Sequence, residues 1–366
     1  MYHTLIIGLI VVFLAWLSRY NKTRYGLEVG FIILTGFLAI RYDWGNDYPA
    51  YLQFFQELNS YGIGLFDWAA LSLFKEGEIG WTFLNKLFAP VGFFGLVMFL
   101  TIFEHAVLYR FIKKYVPANW YWFAVFIYVF YSGFMLTGSS MMRQFLAMCI
   151  YIISIDFIVG KRPVYFFLLI ILAASFHTSA YILLPTYFVR YLNFEIKPLY
   201  LIVIIPAFYF WSIYAADMFG DTAKILMALE DFEKYEVYVG SKTTDALGTG
   251  LGVIFANIIA ITCLYYSHKL PTNLRLICLL MLLDLIFIPF ASIAPLVGRL
   301  GMYFSILSIV IYPVIFRNIG DKAFRYFIVC GYMIVTTKGF FEFFYSDLWY
   351  ERFFEYQTIF SASNLM

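Results

Sequence analysis

The chain is a succession of long apolar runs whose connecting segments alternate in charge, and that alternation restricts the fold more than any other feature. The runs cover residues 3–18, 27–40, 79–109, 119–134, 141–159, 163–178, 179–192, 198–216, 250–267, 273–290, 299–316 and 323–340. Roughly twenty helical residues cross a bilayer core, and tilt or burial widens that figure. An all-α polytopic integral membrane protein of about 12 transmembrane helices is therefore predicted, in a range of roughly 11 to 14. The third run is broken at Pro90-Val91-Gly92, which predicts a re-entrant piece followed by a span. The sixth and seventh are short and meet at His177.

Charge between the runs sets the orientation. Arg19, Lys22 and Arg24, then Arg110, Lys113 and Lys114, then Lys161 and Arg162, Arg190 and Lys197, Lys269 and Arg275, and Arg317, Lys322 and Arg325 fall on alternate connections. By the positive-inside bias that side is the cytoplasm. The other side collects Asp43, Asp47, Glu57, Asp67, Glu76 and Glu78, the acidic segment 217–245, and Glu342, Asp347, Glu351 and Glu355. An even number of spans with both termini outside the cytoplasm fits. The run at 3–18 has no basic residue ahead of it and no small-residue cleavage pattern after it, so it is expected to be a retained span.

With 63% hydrophobic and only 13% charged residues, no large soluble domain fits, and residues 1–366 are expected to form a single integral membrane domain. Cys149, Cys263, Cys278 and Cys330 lie in apolar runs and read as small hydrophobes. Outer-face segments are expected at about 41–80, 217–250 and 341–366. In the first, Tyr51, Leu52, Phe54, Phe55 and Leu58 keep helical spacing opposite Gln53, Gln56 and Glu57, which predicts an amphipathic helix lying on the membrane surface. In the second, Ile225, Leu226, Leu229 and Phe232 repeat the pattern and suggest a lid.

The candidate chemistry sits where these features meet the outer face. If the runs ending at Val159 and beginning at Val164 form a hairpin around Lys161-Arg162-Pro163, then Arg143 and His177 share one end of it. An arginine and a histidine held at membrane depth are costly, and the default reading is a site. Arginine binds phosphate bidentately and keeps its charge, so Arg143 and Arg299 suit a lipid-linked phosphate or pyrophosphate. Snorkelling to the interface is the plainer reading of Arg143. His177 suits a general base; its plainer reading is a core histidine bonded to a neighbouring backbone carbonyl, with Ser179 as a further partner. Asp43 and Asp47 flank Gly45 in a loop able to hold a sugar hydroxyl or a cation, although Asp47 also suits the cap of a helix opening at Tyr48-Pro49. Glu78 is a further carboxylate at the boundary, and Asp284 is the one acid read deep within a run.

Together, Arg41 with Gly45, Asp47, Tyr48 and Tyr51, then Glu78-Ile79-Gly80-Trp81, Arg143-Gln144 with Ala147, Phe176-His177-Thr178-Ser179-Ala180, and Arg299 with Tyr303-Phe304 form an ordered series. That series resembles the EpsG-like, Wzy-type polysaccharide polymerase family, whose members build O-antigen, capsule or exopolysaccharide from repeat units. Trp44 and Asn46 depart from the pattern. The resemblance implies a glycosyltransferase C-like membrane fold. It also implies transfer from an undecaprenyl-pyrophosphate-linked chain to a lipid-linked acceptor at the outer face of the bacterial inner membrane. Arg143, Arg299, Arg41, Gln144, Ser179, Tyr48 and Tyr303 would hold pyrophosphate or sugar, and His177, Asp47, Glu78 or Asp43 would take the acceptor proton.

Because two arginines can stabilise a pyrophosphate leaving group, the reaction is expected to need neither metal nor cofactor. The expected partners are the lipid-linked oligosaccharide and the bilayer, with a chain-length regulator and a flippase; no nucleic acid is expected. Alternatives are a flippase or exporter of lipid-linked sugars, a glycan ligase, and a membrane acyltransferase.

Overall fold

A computed structural model describes residues 1–20, 23–74, 78–192, 251–287 and 295–362, with a few isolated positions between 203 and 214. The predicted lid at 217–250 lies outside them. The fold is helical, and it divides into two compact units: residues 1–187 with 332–366, and residues 188–331.

In the first unit, α1 (Tyr2–Leu17) packs against α2 (Gly26–Ala39). The chain then forms a two-residue strand, β1 (Arg41–Tyr42), followed by α3 (Tyr48–Ser60), α4 (Trp68–Phe74) and α5 (Ile79–Leu87). The long α6 (Phe93–Tyr115) begins after Gly92, whose φ of +87° suits glycine alone without strain. The break at Pro90-Val91-Gly92 thus separates α5 from α6, as the sequence predicts. Next come α7 (Tyr121–Phe130), the short α8 (Met135–Ser140), α9 (Met142–Val159) and α10 (Pro163–Phe176). Residues Thr178–Tyr191 form a 3₁₀ helix around Pro185, where the apolar run alone suggested a further span. Within an α-helix the ring of a proline crowds the carbonyl four residues earlier and its missing N–H breaks the ladder, which disfavours a continuous α-helix through Pro185.

In the second unit, α11 (Leu251–Ser267), α12 (Thr272–Leu282) and α13 (Asp284–Phe287) precede α14 (Pro295–Ser305) and α15 (Ser308–Asn318). The last two form a pair bent by 53°. Helix α16 (Lys322–Tyr345) runs from the second unit back into the first, to which α17 (Tyr350–Phe353), β2 (Gln357–Thr358) and α18 (Ile359–Ala362) belong.

Among the described residues, α6, α9 and α16 are each long and apolar enough to cross a bilayer, and the bent α14–α15 pair adds a fourth if counted as one span. Five shorter apolar helices accompany them. The protein is a helical membrane protein. Large side chains left outward, such as Ile6, Leu9 and Phe13 on α1 and Leu168, Ile171 and Leu172 on α10, are consistent with a lipid-facing surface.

Helix α3 matches its predicted amphipathic pattern. Tyr51, Phe55 and Leu58 are buried, while Gln53, Gln56 and Glu57 are exposed. Its apolar stripe packs on α5. Strands β1 and β2 pair antiparallel, Arg41 opposite Thr358 and Tyr42 opposite Gln357. That pairing draws the carboxy-terminal segment onto the loop that carries Asp43 and Asp47. Trp44 donates its Nε1–H to the Phe353 carbonyl at 3.2 Å, and Asn46 donates Nδ2–H to the Leu348 carbonyl at 2.6 Å. The two residues that depart from the family pattern are therefore the anchors of this contact.

Candidate functional site

Helices α9 and α10 form the predicted hairpin, with Lys161 at its turn in a left-handed conformation (φ +57°). Arg143 in the first turn of α9 and His177 at the end of α10 come to the same end. Asp156, near the other end of α9, pairs with Lys114 at 2.5 Å. At ~1.5 Å per residue, the two sets of charges lie about 20 Å apart along α9. The Arg143 end is thus opposite the basic end of the hairpin.

Glu78 joins the two candidates. It occupies the N-cap position of α5 without a side-chain capping bond, so its carboxylate is directed elsewhere. Oε2 accepts from Nη1 of Arg143, and Oε1 lies 3.6 Å from Nδ1 of His177. The Ser179 amide and hydroxyl approach the same Nδ1 at 3.4 and 3.3 Å. Ser179 is thus a neighbour of His177, as the plainer reading allowed, within a charged cluster. Glu78 is buried, with 6% of its side chain exposed, against 21% for Arg143 and 20% for His177. The cluster therefore has a dry carboxylate at its back and two partly open groups at its front.

Two glycines permit this assembly. A Cβ on Gly80 would meet Oγ of Ser175 at 2.3 Å and its backbone carbonyl at 3.0 Å, so α5 touches α10 closely and sets Glu78 beside His177. Gly45 has φ +124°, and a Cβ there would meet Cα of Ser140 at 3.2 Å. The loop therefore lies directly on the α8–α9 junction, where the Asp47 amide donates to Oγ of Ser140 at 3.1 Å. Asp47 is the N-cap residue of α3, yet its side chain makes no capping bond. The fold thus places Asp47 at the cap while leaving its carboxylate to another partner.

Tyr51 completes the cluster. Its ring centroid lies 5.6 Å from the Arg143 guanidinium carbon, and it packs edge-on against Trp81 at 5.4 Å. Burial raises the Tyr51 pKa, so it remains a neutral phenol. Its place on the buried stripe of α3 was visible in the sequence; its contact with Arg143 was not, because 92 residues separate them. Nε of Arg143 is buried without a hydrogen-bond partner, an unmet donor inside the cluster. Gln144 is buried in the first turn of α9, next to Arg143.

Several expected site residues of the first unit have other contacts. Arg41 points inward: Nη1 donates to the Leu38 carbonyl and to Oγ1 of Thr101, both at 2.7 Å, with Glu104 as its electrostatic counterpart. Tyr48 packs edge-on against Phe93 at 5.2 Å, and burial pushes its pKa up to about 12. Asp43, with a left-handed φ of +45°, pairs with Arg352 at 2.6 Å, apart from the Glu78 contacts. In the second unit, Arg299 and the buried Tyr303 lie one turn apart on α14. Between them is Gly301, on which a Cβ would meet Oδ1 of Asp284 at 2.4 Å. The acid read as deep within a run thus lies directly against the Arg299 helix.

Sequence reading passed over Glu104 and His105, which are buried in α6. Nε2 of His105 lies 2.9 Å from the Tyr128 hydroxyl. Adjacent ionisable residues inside an apolar run were the available signal.

The sequence model of the EpsG family matches residues 28–358 of the chain. Neither the comparison with curated proteins nor that with solved structures gives a match.

Proposed function

The chain belongs to the EpsG family, and from that premise we propose that it polymerises lipid-linked oligosaccharide repeat units. The observation that carries this reading is the convergence of Glu78, Arg143, His177 and Tyr51 from four elements at one end of the α9–α10 hairpin. In the proposed reaction a hydroxyl of a lipid-linked acceptor attacks the anomeric carbon of a glycan carried on undecaprenyl pyrophosphate. The C–O bond to phosphate breaks, and the pyrophosphate leaves on its lipid with the bonding electron pair.

Arg143 receives that charge. A partly open guanidinium with a buried, unmet Nε donor is suited to phosphate oxygens, and removal of one such preorganised donor costs on the order of 10²–10³ in rate. His177 takes the acceptor proton, and Glu78, close to Nδ1, stabilises the resulting imidazolium. Asp47 orients the acceptor from the rim. Asp43, engaged with Arg352, is not assigned the base role. The charge alternation supports an outer-face position for this end, and the family resemblance implies the inner membrane and a glycosyltransferase C-like arrangement, here of about 12 spans.

The decisive test uses purified protein and a defined undecaprenyl-pyrophosphate-linked repeat unit, with products resolved as a ladder. A wild-type ladder that collapses in Arg143→Ala and His177→Ala supports polymerisation; translocation of the lipid-linked unit without a ladder would support an exporter instead. Arg299→Ala in the same assay tests the second arginine expected to bind pyrophosphate. Chelator in excess should leave the ladder intact, since Arg143 supplies the positive charge; loss restored by one divalent ion would overturn metal independence.

A further inference from the structure

The loop between β1 and α3 has two ends with different surroundings. Its Asp47 end rests on Ser140, three residues before Arg143, and its Asp43 end opens into a cleft of about 200 Å³. Asp43, Tyr350, Glu351, Arg352, Glu355 and Gln357 line that cleft. Phe354 also lines it, with its ring 4.7 Å from that of Tyr350, and Tyr345 continues the aromatic surface at 5.9 Å from Phe354. Tyr350 is 47% exposed, so a ring remains available beside carboxylates, a guanidinium and an amide.

An aromatic surface bordered by planar hydrogen-bonding groups matches the two kinds of surface on a pyranose. The C–H face of the sugar packs on the ring, while adjacent hydroxyls donate to carboxylates or exchange hydrogen bonds with an amide. We propose that this cleft is a glycan subsite that favours neutral or amine-bearing sugars over uronic acids. The proposal rests on the polymerase reading and names the class of sugar that the chain would accept.

The charge balance supplies the selectivity. Asp43 and Arg352 neutralise one another at 2.6 Å, and Glu351 and Glu355 add two carboxylates on the exposed rim. Position supplies the connection to the reaction. Asp43 and Asp47 are four residues apart, so at most ~14 Å separates their Cα atoms, a length that a short oligosaccharide covers.

The test uses the full chain in lipid nanodiscs and three trisaccharides, of glucosamine, N-acetylglucosamine and galacturonic acid, with binding followed by ligand-observed NMR at low salt. The first two should bind on the order of three- to tenfold more tightly than the third, as expected for a few exposed charges. Glu351→Gln with Glu355→Gln, an exposed and conservative pair of changes, should bring the three affinities within about twofold of one another. Tyr350→Ala should weaken all three. Equal binding of the acidic trisaccharide by wild type, a preference that survives in the double variant, or no binding of any trisaccharide would overturn the subsite. Arg143→Ala should abolish the ladder while leaving the preference intact. A wild type that makes no ladder defeats the polymerase reading, and the trisaccharide ranking then still decides the cleft.

Discussion

Glu78 is the residue on which the first-unit site depends, because it faces a cation and an imidazole from a position with little access to water. Glu78→Gln keeps the shape and removes the charge, leaving Arg143 without its counter-ion. Breaking one side of a buried pair typically costs about 3–5 kcal/mol, and the partial exposure of Arg143 places this pair near the lower end. The melting temperature of Glu78→Gln should therefore fall, while Glu78→Gln combined with Arg143→Gln should be less destabilised than the sum of the two single changes. Additive losses would mean that the two side chains do not act as a pair. Ser179→Ala should be milder in turnover than His177→Ala, since its hydroxyl, 3.3 Å from Nδ1, supports the imidazole and takes no proton itself. Equal losses would shift the proton-transfer role away from His177 alone.

At the scale of elements, the site is set by close approaches between helices. In Gly80→Ala the new methyl group meets Ser175, α5 must move off α10, and Glu78 leaves His177. Turnover should fall with only a modest loss of stability, and Ser175→Gly introduced with it should restore part of the rate; absence of any recovery would dissociate the helix contact from catalysis. Gly45→Ala is harsher, because φ +124° is strained for any side chain and the nearest neighbour is backbone. It should cost ~1–3 kcal/mol in thermal unfolding. Much of this architecture was legible in the sequence. The apolar stripe of α3, the break before α6 and the hairpin with Arg143 and His177 at one end all follow from local periodicity, Pro-Gly punctuation and loop length. What local pattern cannot convey is where a side chain turns. Arg41 and Asp43 are two residues apart, yet one enters the interior toward Thr101 and the other meets Arg352. Only the packing of α6 and of residues 348–358 decides that. The 3₁₀ geometry at Thr178–Tyr191 was hidden for a similar reason, since an apolar run does not distinguish turn types.

For the whole molecule, the alternation of charge predicts which loops face the cytoplasm. A reporter that fluoresces only in the cytoplasm should be bright when inserted at Lys161 and dark when inserted at Asp67; the reverse would invert the sidedness of the Arg143 cluster. One further consequence lies in the pairing of β1 with β2. The loop that presents Asp47 is held by contacts from Asn46 to Leu348, from Trp44 to Phe353 and from Arg41 to Thr358, each bridging about three hundred positions of sequence. On the ribosome, α9, α10 and α5 can enter the membrane and find one another long before residues 348–358 have been made. Until then the loop has its contact with Ser140 at the α8–α9 junction but none of these three. The contacts that fix this loop are therefore among the late ones to form, after the helices that flank the Arg143 cluster have packed.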